Sequence, residues 1–232
     1  LNYLKEGVKE MTKFPINRVH VIPLCMDIEK FTNALPERHA AREKYEIADQ
    51  DIVLGMMGRI DFAKSQQFVM EVVEEVRKEH PALKMLMVGN KTEGEWEDYY
   101  NQIVERIKAE HKNGEVQLYP FTKEVGYFYQ ATDLFVMASK NETFGMVTIE
   151  AMLSGKVILG TNSAGTKELL DNETKGYYFN WMDADSLRVA LKKVLTDREK
   201  AEKKALLAQK EANDLFDHNR ELVAIEKVLR GN

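Results

Sequence analysis

Cysteine is almost missing: Cys25 is the single one in 232 residues. That excludes a disulfide framework and any Cys-based zinc cluster, and it fits a reducing, cytoplasmic setting. Proline is scarce too, at five residues beside 13 glycines, so collagen-like and low-complexity classes fall away. No run of about 18 apolar residues occurs, so the sequence offers no membrane-spanning helix. A basic excess is also lacking: 33 Lys and Arg stand against 38 Asp and Glu, a net charge of −5. Nucleic-acid binders show the opposite balance, and no nucleic acid is expected as a partner. The five histidines (His20, His39, His80, His111, His218) are scattered without metal-ligand spacing, and no metal is expected. The opening Leu1-Asn2-Tyr3-Leu4-Lys5-Glu6 has no apolar core of a signal peptide and no initiator Met, which reads as a piece of a longer protein.

What remains is ordinary for a globular chain with a real core, 44% apolar and 31% charged. Leu1, Leu4, Val8 and Met11 recur at helical spacing until Pro15. Residues 18–23 read as a short strand, and 33–50 as a polar helix followed by a loop. From Asp51 the chain alternates. Apolar runs at 52–58, 83–89, 115–119, 133–138, 156–160 and 176–179 predict six strands. Between them lie helical stripes at 66–79, 96–107, 124–131 and 144–153, with a short helix before the sixth strand. Residues 183–229 are expected to be helical. Strands that are apolar throughout mark a parallel sheet covered on both faces. Strand–helix units in series then predict a Rossmann-like, doubly wound α/β fold with C-terminal helices.

Such sheets bind ligands beyond the C-terminal ends of their strands. The loop after the first strand, Gly58-Arg59-Ile60-Asp61-Phe62-Ala63-Lys64-Ser65, holds two cations five residues apart. A guanidinium fork and an ammonium together suit a diphosphate; the plainer alternative is a solvated surface loop. The loop is neither a dinucleotide fingerprint nor a P-loop.

The most informative stretch runs from Ser139 to Met152, after the fourth strand and into a helix. A helix start offers free N–H groups and the positive end of the macrodipole, and Gly145 would admit a ligand to the backbone. Glu142 precedes the helix, and Glu150 is placed about two turns inside it, roughly 9 Å along the axis. At that spacing the two cannot share a proton. They could bracket a ligand whose phosphates sit at the helix start, with Glu150 accepting two ribose hydroxyls. The plainer readings are a charge at a helix N-terminus for Glu142 and a surface position for Glu150. The apolar neighbours Ile149, Ala151 and Met152 speak against the latter, because a buried carboxylate needs a partner.

These residues resemble the retaining GT-B glycosyltransferases of family 4, the group 1 glycosyl transferases. That family's E-x-F-G-x-x-x-x-E-A-M motif is similar to Glu142, Phe144, Gly145, Glu150, Ala151 and Met152, and its G-R-x-x-x-x-K loop to Gly58, Arg59 and Lys64. Val21-Ile22-Pro23, Asp27 and Phe31 resemble the V-I-P-N-G-V-D-x-x-x-F interdomain segment. Ala131 to Val136 resembles the A-D-L-F-V strand. Gly165, Glu168, Leu169 and Gly176 resemble the later G-G-x-x-E-L stretch. The resemblance covers about residues 16–195.

The resemblance implies a donor-binding half. Residues 1–17 would be the remnant of an acceptor domain or linker, 18–216 the nucleotide-sugar domain, and 217–232 a helix crossing back to the missing N-terminal domain. It implies a hexosyltransferase using a nucleoside-diphosphate sugar, a UDP-sugar ahead of a GDP-sugar, with no cofactor and no metal. The acceptor would be a glycan or lipid-linked molecule held through the missing domain. The setting would be bacterial polysaccharide biosynthesis, cytoplasmic, with peripheral contact at the inner face of the cell membrane. Arg59 and Lys64 would hold the diphosphate with backbone N–H groups near Gly145, Met146 and Val147. Glu142 would contact the sugar, Glu150 the ribose, and Pro120 and Phe121 the base. The isolated chain would bind donor weakly at best and transfer nothing. A non-catalytic nucleotide-sugar-binding module is the alternative; a sugar-nucleotide epimerase would need acid–base residues that the chain does not offer.

The chain departs from the family at Leu24-Cys25 (Asn-Gly in the family), Lys64-Ser65 (Lys-Gly) and Ala164-Gly165 (Gly-Gly). Asp183-Ala184-Asp185 spells a metal–diphosphate motif of another glycosyltransferase fold, but it precedes a helix and is expected to cap it. Lys192 to Lys204 is interleaved with acids, which reads as a solvated face rather than a lipid contact.

Overall fold

In a computed structural model the described residues are all but 1, 13, 14, 16, 18, 23, 24, 34, 231 and 232, with the backbone alone at 2–4, 6, 164 and 219. Six strands, β1 (Ile52–Met57), β2 (Leu83–Val88), β3 (Val116–Tyr119), β4 (Leu134–Met137), β5 (Val157–Thr161) and β6 (Tyr177–Phe179), form one sheet of order β3-β2-β1-β4-β5-β6. Every pairing is parallel. The strand order reverses between β1 and β4, so the crevice at their C-terminal ends is the topological switch point.

Among the described residues the helices are α1 (Asn2–Met11), α2 (Glu29–Thr32), α3 (Arg38–Lys44), α4 (Gln66–Arg77), α5 (Glu97–Glu110), α6 (Val125–Ala131), α7 (Met146–Leu153), α8 (Ala164–Leu170), α9 (Ala184–Thr196), α10 (Arg198–Leu215) and α11 (His218–Arg230). The sheet is covered on both faces, as its apolar strands require: β4 and β5 are buried at every position. One core cluster joins the sheet to α4, α5 and α9 through Val69, Val73, Ile103, Leu187 and Leu191. The other joins it to α3, α6 and α7 through Ala41, Phe128, Tyr129, Ile149 and Met152. The sequence reading missed how α10 packs. Ala201, Ala205, Ala208 and Ala212 form a buried stripe of small side chains that lets α10 lie close to α7. Gln209 on α10 donates to Leu153 O at 2.8 Å, satisfying a carbonyl at the α7 C-terminus.

Two expectations need correction. The strand read at 18–23 is not there: Arg18 and Pro23 lie outside the described residues, and 19–22 form no ladder. An apolar alternation without a strand alongside it has nothing to pair with. The chain pairs instead at Met26, whose N–H donates to Phe216 O at 3.1 Å. Leu24 lies outside the described residues, and Cys25 N–H donates to Glu221 Oε2 at 3.3 Å. The second correction concerns α7, which begins at Met146 rather than Phe144, because Gly145 at φ 73° ends the irregular segment in a left-handed conformation. Glu150 is therefore just over one turn inside α7, not two.

The apolar stripe of α11 is exposed, with Leu222 and Val223 about half accessible and Leu229 at 81%. No helix among the described residues is long and apolar enough to cross a membrane.

Candidate functional site

The loop after β1 is shaped by its own hydrogen bonds. Asp61 accepts from Lys64 N at 3.0 Å and caps a single 3-10 turn over Phe62–Lys64. Ile60 N–H donates to Asn90 O at 3.0 Å, tying this loop to the one after β2. Gln66 Nε2 donates to Arg59 O at 2.6 Å. The tight turn throws the Lys64 ammonium across the switch point, where it meets Glu142 Oε2 at 2.8 Å. Arg59 stays 65% exposed, with its guanidinium 3.4 Å from the buried Asp61 carboxylate.

Glu142 belongs to the loop after β4, and its position depends on Gly165. Gly165 N–H donates to Glu142 O at 2.9 Å. A Cβ at Gly165 would fall 2.5 Å from Thr143 O, so only glycine allows the two backbones to approach this closely. Glu142 Cγ in turn lies 3.2 Å from where a Gly145 Cβ would stand, which puts the Lys64–Glu142 pair beside the start of α7. There Thr148 and Ile149 make the first internal bonds, to Gly145 O at 2.8 and 3.1 Å, leaving the Met146 and Val147 N–H groups ahead of the ladder. Thr148 Oγ1 is buried at the same turn without a hydrogen-bond partner among the described residues.

A cavity of about 560 Å³ opens at the C-terminal ends of β1 and β2. Gly58, Arg59, Asn90, Phe121, Val147 and Glu150 are among the residues that line it. Glu150 is half-buried and accepts a 2.8 Å hydrogen bond from the Tyr129 hydroxyl. Burial raises the Glu150 carboxyl above its ordinary range, and the Tyr129 bond pulls the other way. Tyr129 is fully buried, and Phe31 meets its ring edge-on at 6.0 Å.

Of the residues singled out in the sequence, the fold gathers Gly58, Arg59, Phe121, Val147 and Glu150 on one cavity, and Lys64 with Glu142 next to it. Met146 is exposed at the helix start. Pro120 is exposed outside the cavity lining. Phe144 points elsewhere, packing edge-on against Phe216 at 6.1 Å. Two residues were missed. Asn90 holds the cavity wall by accepting from Phe121 N–H at 3.0 Å, and its place just after the Gly89 that ends a buried run is the signal that could have found it. Tyr129 holds Glu150, and nothing local marks it, because the two stand on separate helices.

Asp183 accepts from Ser186 N–H at 3.0 Å and so caps α9, while Asp185 pairs with Arg188. Glu74, Glu110 and His111 lie close enough for a cation, yet Arg106 already reaches both carboxylates.

The family model described as glycosyl transferases group 1 matches residues 37–210. The chain belongs to the group 1 glycosyl transferases. This group 1 chain is 27% identical over 203 residues to a lipopolysaccharide 1,2-N-acetylglucosaminetransferase of Salmonella typhimurium, covering 85% of the chain and 52% of that relative. It superposes on HepE of Anabaena, solved with UDP and glucose, at a TM-score of 0.86, with 21% identity over 98% of this chain and 61% of that one. It superposes on the C-terminal domain of the group 1 protein LpcC of Francisella tularensis at 0.70, with 22% identity over 82% of this chain and 96% of that domain. The chain spans about half the length of the curated relatives it matches. The fold is the Rossmann-like α/β fold of GT-B glycosyltransferases.

Proposed function

We propose that this group 1 chain is the donor-binding half of a retaining hexosyltransferase. It takes a nucleoside-diphosphate sugar, a UDP-sugar ahead of a GDP-sugar, and serves a glycan or lipid-linked acceptor in polysaccharide assembly. The observation that carries the reading is the convergence at the switch point. Arg59, the Val147 turn of α7 and Glu150 line one cavity, and the Lys64–Glu142 pair stands beside the same helix start.

In this reading the diphosphate lies on the Met146 and Val147 N–H groups, with the Thr148 hydroxyl supplying a further donor and Arg59 and Lys64 supplying positive charge. When the bond between the anomeric carbon and the β-phosphate oxygen breaks, negative charge grows on that oxygen. Fixed donors aimed there stabilise it most in the transition state. These charges do the work a metal would do elsewhere, so the reading assigns none. Glu150 accepts the ribose hydroxyls, Phe121 faces the base and Glu142 contacts the sugar. The neighbour HepE, solved with UDP and with UDP-glucose, supports the nucleotide assignment. The exposed α11 stripe, Leu222, Val223 and Leu229, supports the reading of 217–232 as a segment that covers an acceptor domain, of which 1–17 is the remnant. The protein would act in the cytoplasm, with peripheral contact at the inner face of the membrane.

Transfer is assayed in the complete polypeptide as wild type, Glu142→Ala and Lys64→Ala. Both variants are expected to lose most of the rate. Wild-type rates in both would remove the catalytic reading. The half-length match favours a second reading, a nucleotide-sugar-binding module without activity of its own. Transfer by the 232-residue chain alone would overturn that one.

A further inference from the structure

A second cavity, of about 310 Å³, lies at the opposite end of the sheet, where β4 and β5 begin and α10 crosses them. Its wall includes Lys156, Arg38, Arg198 and Asp133, with Glu202 at the rim. Lys156 is 8% exposed and makes one hydrogen bond, to Thr132 O at 3.2 Å. An ammonium has three donors, and among the described residues no carboxylate is within ion-pairing distance of this one.

The nearby Asp133 is already taken. Its carboxylate receives Arg38 at 2.7 Å, the fully buried Arg42 at 2.9 Å and Val53 N–H at 2.8 Å, and Arg198 stands 3.9 Å away. Three cationic side chains thus line the cavity beside one carboxylate in its wall and one at its rim, while Arg42 behind Asp133 also feels Asp49 and Asp51. Burial pushes the Lys156 ammonium down to about 8; Arg38 and Arg42 push it the same way, against Asp133. A buried cation without a counter-charge is costly, and here it borders a space large enough for a small ligand.

We infer that this cavity binds a small phosphorylated anion, inorganic phosphate or a phosphomonoester, held by Lys156 and Arg198 beside Arg38, whose guanidinium already donates to Asp133 and to Gln130 O at 3.2 Å. A guanidinium and an ammonium together suit the oxygens of a phosphoryl group. The bound anion bridges the starts of β4 and β5 to α10. β4 runs from there to the loop that carries Glu142. The site is independent of the nucleotide-sugar reading.

The test is calorimetric titration of the chain with inorganic phosphate at constant ionic strength, beside melting curves. The chain should bind phosphate saturably. Lys156→Met and Arg198→Gln should each weaken binding about tenfold or more, the loss of one charge-assisted hydrogen bond. Lys108→Ala, an exposed lysine of α5 that lines neither cavity, should leave it unchanged. In the absence of phosphate Lys156→Met should melt no lower than wild type, because it removes an unpaired buried charge; a lysine that merely ties Thr132 to β5 would give a lower melting temperature. Absent binding, binding that survives Lys156→Met, or a loss that follows Lys108→Ala would each overturn the inference. A phosphomonoester titrated in parallel separates the two ligand sources: tighter binding than phosphate assigns the organic ligand, equal or weaker binding the free ion.

Discussion

Lys64 and Glu142, from the loops after β1 and β4, meet at 2.8 Å across the switch point, with their side chains 25% and 18% exposed. The pair cancels charge where a diphosphate would need it. An incoming anion has to compete with Glu142 for the ammonium. Glu142→Gln should therefore tighten UDP about two- to fivefold, the range of a partly exposed ion pair, while lowering transfer in the complete polypeptide. Lys64→Ala should weaken UDP. Titration calorimetry on both variants checks this, and equal affinities throughout would show that Lys64 does not reach the diphosphate.

Glu150 makes a pH-dependent prediction. Its folded-state pKa is raised by burial, so the native chain binds this proton more tightly than the unfolded one. Stability from this group is full below the unfolded carboxylate value, about 4.3, and is lost as pH rises through the folded value. Glu150→Gln should raise the melting temperature at neutral pH by a few degrees, and the gain should vanish on acidification below that window. With the proposed ribose contact, UDP affinity should fall in the same variant, because an amide accepts hydroxyls less well than a carboxylate. Melting curves from about pH 3, below the unfolded carboxylate value, up to about pH 8 read the first effect.

Tyr129→Phe isolates the hydroxyl that holds Glu150. Removing the 2.8 Å bond should cost about 1–2 kcal/mol and raise the Glu150 pKa further, because the Tyr129 bond is what opposes burial there. Denaturant unfolding and a carboxyl titration by NMR measure the two parts separately.

Gly165→Ala should destabilise by about 1–3 kcal/mol, because the new Cβ would sit 2.5 Å from Thr143 O and 2.9 Å from Glu142 O. It should also lower transfer, since the backbone of Glu142 must move. Gly7→Ala is the contrast. Nothing lies within 4 Å of a Cβ there, inside α1, so helix propensity should add about 0.5–1 kcal/mol. Equal responses at the two positions would contradict the close-approach argument.

The sheet was legible because its inner strands are buried on both faces and therefore read as mostly apolar runs bounded by Gly or Pro, as at 52–58 and 83–89. Residues 18–23 show the limit of that signal: an apolar alternation does not say whether a partner strand exists. The start of α7 was legible to within two residues. Gly145 sets it by taking a left-handed conformation, which leaves Phe144 free to pack on Phe216. Arg59, Lys64 and Glu142, candidates on the β1 and β4 loops, stood out by chemistry and spacing, and the fold brings Lys64 and Glu142 together. Tyr129 could not, because its role arises from the packing of α6 against α7, and the alanine stripe of α10 carries too little hydropathy to stand out. The Lys64–Glu142 pair was likewise beyond the sequence, since opposite charges far apart in the chain do not announce that they meet.

In the proposed function a pyrophosphate sits on the first turn of α7 facing Arg59. Amide shift mapping of the labelled chain during a UDP titration tests it directly, even where binding is weak. The largest changes should fall on Gly58, Arg59, Met146, Val147 and Glu150. A titration that leaves Met146 and Val147 unmoved while UDP binds elsewhere would contradict it.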